Sequence, residues 1–464
     1  MKNIKNILLT VSFFAIASCD NTLNLAPEDS LTPAIIFSTE ALAGNAVTGM
    51  YSSLQSSNTL SGIPDTMSEW QADNVEFVGS FPTFDEIYTF NTLSDNTSIL
   101  GVWNAHYFTI NQANQIIKNV PLVPGATFTS AEKDDFIGQA RFVRALMHFK
   151  LSQLFGKQLK QDPTGNSLSI PLVLEPYDGN VQKPSRNTLK EVYSSIEADL
   201  LFAKTSITNT VKSRATVAAA NALLARLYLY QERFPEAAAA ANTVIGTAGI
   251  SLAANYAFYN NPSTEHIFQV QNIAGDIAAA ESFSKLYSPT AFGGRGDTPF
   301  STNLIATFAA EPGDLRYTTL TRSGVDAKNR TSVFTTKYPN GTSNQDDPNV
   351  LRVSEMYLIR AEANFRAGSA VGATPLSDVN RTRVRAGLAP LATISSLNEI
   401  LLEKRKEFCF EGLRRMDLLR NNLPLRSAGM PSAAVSTPTS DKVVFPIPQR
   451  ERDNNPNLVQ NTGY

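Results

Sequence analysis

Residues 396–420 have the sequence SLNEILLEKRKEFCFEGLRRMDLLR, which combines a helix start with a dense pattern of charges. Ser396 and Glu399 have the spacing of a capping box, so we expect a helix to begin here. Charged residues then recur at four-residue steps along one face: Glu403, Glu407, Glu411 and Arg415. Arg405 lies in an apolar strip and must be paired, because an unpaired buried charge is too costly. The pattern predicts one long core helix held by ion pairs.

Three parts of the sequence together resemble the SusD/RagB family. They are the charged pattern from Glu407 to Arg420, the stretch RVSEMYLIRAEA at residues 352–363, and the chain end from Val444 to Tyr464. The resemblance covers essentially the whole mature chain. It implies a mostly α fold of tetratricopeptide-like helix pairs with an inserted irregular, loop-rich subdomain.

The same resemblance implies a function and a partner. Members of this family bind an oligomeric nutrient at the cell surface and deliver it to a SusC-like TonB-dependent outer-membrane transporter. Glycan is the commoner ligand, and oligopeptide, as in the RagB branch, is the alternative. The family's ligand-contacting residues vary, so the resemblance assigns none of them to this chain.

The N-terminus has the features of a bacterial lipoprotein signal peptide. Lys2 and Lys5 precede an apolar run that is too short to span a bilayer. Ile16-Ala17-Ser18-Cys19 resembles a lipobox, which predicts that Cys19 is acylated and becomes the first residue of the mature chain. A lipid anchor holds a chain firmly without a spanning helix. We therefore expect the protein at the outer membrane, facing the exterior.

Composition excludes few classes of protein but does limit the partners. The chain has 464 residues, 42% of them hydrophobic, and a formal net charge of −2. Without a basic surplus, nucleic acid is not expected as a partner. Cys409 stands between Phe408 and Phe410, so we expect a small buried hydrophobe and no disulfide framework.

The mature chain is predicted to form one domain behind a tether. The expected divisions are a signal peptide at 1–18, a tether at 19–39, a domain at 40–464, helix pairs at about 40–250 and 351–420, an irregular insert at about 251–349, and a tail at 421–464. Further capping boxes occur at Thr129 with Glu132 and at Thr188 with Glu191. A tetratricopeptide-like spacing is formed by Ala225, Tyr228, Ala237, Ala241 and Val244. Within the insert, residues 266–271 alternate like a short strand.

Residues 56–100 are rich in turn formers and are predicted to be loops that carry aromatic rings. Such rings can stack on a ligand or can pin the loops to the core. On chemistry alone, the candidate ligand-binding residues are Trp70, Asp73, Asn74, Phe81 and Tyr287. The alternative that Trp70 is merely buried stays open.

No pattern in the sequence indicates catalysis. His106, His148 and His266 are isolated, and none has a metal-ligand spacing to Cys, Asp or Glu. We therefore expect no catalytic residue, no metal and no cofactor, and a protein that is not an enzyme. The carboxylate pair of a glycosidase is spatial, so an anchored glycan-degrading enzyme stays open as an alternative. A helical scaffold with protein partners only is the third possibility.

Overall fold

The computed structural model describes residues 32–125, 127–259, 261–273 and 281–464. The predicted signal peptide, the lipobox and Cys19 lie outside these residues, as does most of the predicted tether. None of the helices in the described ranges is both long enough and apolar enough to cross a membrane.

The described chain is mostly α-helical, as predicted. In chain order the helices are α1 (Pro33–Ile36), α2 (Glu40–Ser53), α3 (Ile63–Gln71), α4 (Pro82–Tyr88), α5 (Thr97–Asn119), α6 (Ser130–Phe155), α7 (Leu189–Ser206), α8 (Val217–Tyr230), α9 (Phe234–Ile245), α10 (Phe283–Tyr287), α11 (Thr302–Ala309), α12 (Leu315–Thr318), α13 (Val353–Ala367), α14 (Pro375–Arg385), α15 (Leu397–Phe408), α16 (Arg414–Leu419) and α17 (Gln449–Asn454). The strands are β1 (His266–Gln269), β2 (Thr321–Val325), β3 (Thr331–Thr335) and β4 (Asn349–Arg352). Short 3-10 turns connect some of them.

The long helices stack in the order of the chain. Helices α5, α6, α7 and α8 each pack against the next helix in the chain, and α9 packs against α13 although more than a hundred residues separate them. Ala237 and Ala241 on α9 are fully buried, and their small side chains let neighbouring backbones approach closely. All three predicted capping boxes form, at Thr129, Thr188 and Ser396. The stacked helix pairs therefore continue on both sides of the insert.

The stretch that was predicted as one long helix is broken. Helix α15 ends at Phe408, and α16 begins only at Arg414. Between them Phe410 and Gly412 have left-handed backbone, with φ of 67° and 74°. A Cβ at Gly412 would lie 2.6 Å from the side chain of Asp65, so a close approach of α3 requires glycine there. The prediction of a continuous helix is wrong because this contact comes from a distant part of the chain.

The insert contains more regular structure than the sequence indicated. Strand β1, which was predicted, pairs antiparallel with β4, and β2 with β3 form an antiparallel hairpin that was not predicted. The prediction of loops over residues 56–100 is also wrong in part, because α3 and α4 lie there. The C-terminal tail packs back on the body: Arg186 donates to the carbonyl of Val459 at 2.9 Å, and Tyr464 donates to that of Val444 at 2.9 Å.

Two of the sequence stretches that resemble the family meet in a buried ion network. Arg352 is 1% exposed and donates to Glu407 at 2.6 Å, to Glu411 at 2.9 Å and to the Ser354 hydroxyl at 2.8 Å. Burial alone would raise the pKa of Glu407, but Arg385 and Arg352 outweigh burial and hold that pKa below its usual value. The network ties β4 and α13 to the last turn of α15 and to the segment that follows it.

Candidate functional site

Trp70, the first predicted ligand contact, lies in the core. Its exposed fraction is 0%, and its indole nitrogen donates to the Thr298 hydroxyl at 3.0 Å. The ring packs against Phe77 and Phe84, with centroid distances of 5.4 and 4.6 Å. No face is left for a ligand, so the prediction of Trp70 as a stacking ring is wrong, and the alternative of a buried Trp70 is confirmed.

Asp73 and Asn74 are also buried, and their polar atoms are used by arginines. Arg414 donates to both carboxylate oxygens of Asp73, at 2.8 and 3.0 Å. Burial alone would raise the pKa of Asp73, but Arg414 and Arg405 hold it below its usual value. Asn74 accepts from Arg405 at 2.9 Å and donates to Glu69 at 2.9 Å. These contacts correct the ligand prediction for both residues and confirm that Arg405 is paired.

Tyr287 does not reach the surface either. It is 0% exposed, its ring lies 5.7 Å from that of Phe283, and it meets Phe410 edge-on at 5.1 Å. Burial raises the pKa of its hydroxyl well above the usual value. The prediction of a ligand contact is wrong here, because the insert folds this ring onto the segment after α15.

Two of the isolated histidines and the cysteine of the charged segment are enclosed in the core. His106 and His148 are 0% exposed, and burial lowers their pKa values to about 4 and about 3. Cys409 is 4% exposed, as predicted for a small hydrophobe, and burial raises its thiol pKa to about 11. None of these three groups has access to a surface ligand.

Phe81 is the one predicted ligand contact that the structure leaves accessible. Its exposed fraction is 46%, and it stands immediately before Pro82, the first residue of α4. The ring stacks on Phe84 at 5.3 Å, and the guanidinium of Arg295 lies 4.0 Å from its centroid. A ligand contact at Phe81 stays a prediction, and the exposure of its ring is compatible with that contact.

A glycine-rich loop carries a second exposed ring, that of Phe292, close in sequence to the arginine that contacts Phe81. Phe292 is 46% exposed and lies three residues before Arg295, which covers Phe81. The loop is fixed, because Lys285 donates to the carbonyl of Gly293 at 2.7 Å. A Cβ at Gly294 would lie 2.0 Å from the carbonyl oxygen of Ser288, so the loop can pack this closely only with glycine.

The β2–β3 hairpin adds an arginine with free donors. The guanidinium of Arg322 lies 4.2 Å from the centroid of Phe292. No hydrogen bond or ion pair of that guanidinium is found within the described ranges. Burial lowers the pKa of Arg322, and the nearby Asp346 opposes the shift. The group remains a cation with several N–H donors available to a ligand. Phe81, Phe292, Arg295 and Arg322 are called the Phe–Arg surface below.

The acids near this surface are already paired. Asp297 accepts from Arg295 at 2.6 Å, and its backbone carbonyl accepts from the N–H of Val78 at 2.8 Å, which joins the two loops. Glu76 lies 3.2 Å from Arg330. Within the described part of the chain, no group of three or more His, Cys, Asp or Glu could hold a metal ion. The surface therefore offers apolar ring area and cationic donors.

The sequence did not indicate the other three members of the surface, Phe292, Arg295 and Arg322. The run Gly293-Gly-Arg-Gly296 was visible, but it matched no known phosphate-binding pattern. A signal that could have helped is the β-branched content of β3, with Thr331, Val333 and Thr335, since β3 pairs with the strand that carries Arg322.

Two family models match the chain. The model described as starch-binding and associating with the outer membrane matches residues 23–229, and the model described as the SusD family matches residues 316–464. Together they cover about three quarters of the sequence. The chain belongs to the SusD/RagB family.

Several relatives of this SusD/RagB protein align with it over most or all of their length. SusD-like protein P2 from Formosa agariphila is 26% identical, and the match covers 100% of both chains. The solved structure of a putative sugar binding protein from Bacteroides vulgatus is 27% identical with a TM-score of 0.80, covering 92% of this chain and 99% of that one. A SusD superfamily protein from the same organism is 25% identical with a TM-score of 0.82, covering 92% and 100%. The mostly α, SusD-like fold is thus confirmed.

Proposed function

We propose that the protein is a cell-surface lipoprotein that binds an oligosaccharide and delivers it to a SusC-like TonB-dependent outer-membrane transporter. The ligand proposal rests on the Phe–Arg surface, where the half-exposed ring of Phe81 lies beside Arg295 and that of Phe292 lies beside Arg322, whose guanidinium has free donors. The family description as starch-binding and associated with the outer membrane supports the proposal. The solved relative described as a sugar binding protein supports it as well.

The proposed mechanism is reversible capture without bond cleavage. The apolar C–H faces of a sugar would pack on the rings of Phe81 and Phe292, which already stand at the surface. The donors of Arg322 would bond sugar hydroxyls. The rigid loop of the insert would hold Phe292 and Arg295 in place, so that little ordering is needed on binding. Few anchoring contacts give a modest affinity, which suits release to a transporter.

The ligand class is tested by titrating the purified protein with neutral glucan oligosaccharides and, in parallel, with a mixture of oligopeptides, using calorimetry. Saturable binding of a glycan that weakens in Phe81→Ala and Phe292→Ala supports the proposal. Binding of peptides and of no glycan would instead establish the RagB-like alternative. Release of reducing ends by the protein alone would establish the enzyme alternative and overturn capture without cleavage.

The anchor is tested separately. If Cys19 is acylated, Cys19→Ala moves the protein from the membrane fraction to the soluble fraction, while Cys409→Ala does not. Unchanged membrane retention of Cys19→Ala would contradict the lipid anchor. The partner is tested by purifying the wild-type protein from detergent extracts of native membranes. A TonB-dependent transporter that co-purifies with it supports delivery, and a preparation without such a transporter would count against delivery.

A further inference from the structure

A concave region is lined by none of the residues of the Phe–Arg surface. One wall is α5, another is the segment from residue 171 to 184, and the third is the C-terminal segment from residue 451 to 458. Together they enclose a cavity of about 530 Å³ that opens to solvent. We call it the α5 groove. Its size is within the range of ligand sites in proteins.

The α5 groove is unusually rich in aromatic surface. Trp103 and Tyr107 form its inner wall, with ring centroids 4.9 Å apart. Phe108 and Tyr177 line it while remaining 59% and 57% exposed. Large rings exposed together around one cavity leave apolar area that a ligand can cover.

The rim of the groove is held in place by hydrogen bonds to α5. The backbone N–H of Tyr177 donates to the Asn111 side chain at 2.8 Å, and Gln115 donates to the carbonyl of Tyr177 at 3.2 Å. Farther along the segment, Asn114 donates to the carbonyl of Val173 at 2.9 Å. The ring of Tyr177 therefore stands on a fixed backbone and not on a loop without contacts.

Three neutral amides of the groove are available to a ligand. The side-chain amides of Asn104, Gln182 and Asn454 line it, and none of them has a hydrogen-bond partner in the described part of the chain. Of the described residues that line the groove, only Glu451 is ionisable with an acidic or basic side chain, and burial raises the pKa of its carboxyl. The groove thus lacks the cations that the Phe–Arg surface has.

We propose that the α5 groove is a second binding site, for a neutral oligosaccharide, separate from the Phe–Arg surface. Phe108 and Tyr177 present faces for the C–H surfaces of sugar rings, and Asn104 and Asn454 present amides that both donate to and accept from hydroxyls. The absence of a cation among its described lining residues favours a neutral sugar over an acidic one. The choice of a sugar rests on the proposed function.

The two sites are far enough apart to be tested independently. Ser98, at the start of α5, contacts Thr83 at 3.0 Å, close to Phe81. Phe108 lies ten residues further along α5, about 15 Å at 1.5 Å per residue. A substitution at Phe108 therefore leaves the contacts of Phe81 unchanged.

The experiment titrates the purified protein with maltoheptaose and with laminarihexaose, using calorimetry to obtain the stoichiometry and the affinity. Phe108→Ala with Tyr177→Ala disables the groove, Phe81→Ala with Phe292→Ala disables the Phe–Arg surface, and Val384→Ala is the control at an exposed apolar residue outside both. Asn104→Ala removes a groove amide from an exposed position, so it provides a second groove variant that keeps the rings. Melting temperatures confirm that each variant is folded.

We expect the groove double variant to lose one binding step, or to weaken it at least tenfold, for one of the two oligosaccharides, and Asn104→Ala to weaken the same step about threefold. Val384→Ala should match the wild type. A folded groove variant and a folded Asn104→Ala that both bind like the wild type would overturn the second site. If the groove variants lose binding and the Phe81→Ala, Phe292→Ala variant does not, the α5 groove is supported as a glycan site and the Phe–Arg surface is not. Absence of binding of both oligosaccharides by the wild type overturns both sites.

Discussion

Arg352 and Arg322 make the same local contact in opposite surroundings. Each guanidinium lies over a phenylalanine ring, that of Arg352 at 4.4 Å from Phe408 and that of Arg322 at 4.2 Å from Phe292. Arg352 is 1% exposed and is bonded by buried carboxylates, whereas the guanidinium of Arg322 has no hydrogen-bond partner in the described ranges. The residue type and the ring contact are therefore no guide to function.

What separates the two arginines is whether their donors are already used. In the buried network every interaction links elements of the fold, so a change there should be measured as lost stability. On the Phe–Arg surface the donors are available, so a change there should be measured as lost binding with little change in stability. The predictions below test this separation.

The largest effect is expected from Arg352→Ala. This change takes one guanidinium from the buried carboxylates of Glu407 and Glu411, which keep Arg385 and Lys337 as partners. Breaking a buried ion pair typically costs about 3–5 kcal/mol. The measurement is urea-induced unfolding, with Arg322→Ala as the matched control, for which we expect a change of no more than about 0.5 kcal/mol. Equal losses in the two variants would remove the distinction between the two arginines.

A second effect concerns the loss of stability at low pH, which we expect to arise from a buried group. Burial lowers the pKa of His148 to about 3, and neither ring nitrogen has a hydrogen-bond partner. The folded protein therefore keeps this ring neutral, while the unfolded chain takes up a proton as the pH falls below about 6.5. Stability contributed by the neutral ring is present above that pH and is lost as the pH falls toward 3.

Between pH 7.5 and pH 5, His148 should account for a loss of about 2 kcal/mol in the free energy of unfolding. His148→Leu should be less sensitive to pH over this range by that amount, since leucine cannot be protonated. Phe149→Leu, a change at a buried ring on the same helix, should keep the pH dependence of the wild type. A His148→Leu variant with an unchanged pH profile would show that another group titrates.

A smaller effect is expected for Arg322→Ala on glycan binding. Hydrogen bonds from a charged group contribute about 1.5 kcal/mol at the lower end of their range, so we expect roughly a tenfold weaker affinity. Arg330→Ala is a suitable control, because Arg330 is 46% exposed and is already paired with Asp326 at 2.8 Å. If Arg330→Ala weakens binding as much as Arg322→Ala does, then free donors are not the deciding feature.

The smallest effect is expected for Phe81→Leu. Leucine keeps apolar area but loses the flat face, and an aromatic contact contributes about 0.5–1.5 kcal/mol beyond burial. We expect an affinity lowered about threefold, measured by calorimetric titration. The melting temperature, measured by thermal unfolding, should stay close to that of the wild type. Trp70→Leu should do the reverse, lowering the melting temperature first, because Trp70 is a core residue.

Local patterns in the sequence predicted the parts of the fold that depend on neighbouring residues. The capping boxes at Thr129, Thr188 and Ser396 form because both partners are three residues apart. The pairing of Arg405 followed from the cost of an isolated buried charge, although its partner Asn74 could not be named in advance. The domain boundaries remain a prediction.

The remaining features depend on contacts between distant residues. The break at Gly412 arises from Asp65, and the burial of Trp70 involves Thr298, each far away in the chain. The availability of Arg322 is likewise a property of the folded hairpin, since its residue type also occurs in the buried network. For the ligand surface, sequence alone therefore located Phe81 and no other member.

The most direct test is a calorimetric titration of the purified protein with glucan oligosaccharides, comparing the wild type with a Phe292→Ala, Arg322→Ala double variant and recording the melting temperature of both. We expect saturable binding by the wild type, at least tenfold weaker binding by the double variant, and melting temperatures within a few degrees of each other. Undiminished binding by a folded double variant, or a large drop in its melting temperature, would contradict the assignment of ligand capture to the Phe–Arg surface.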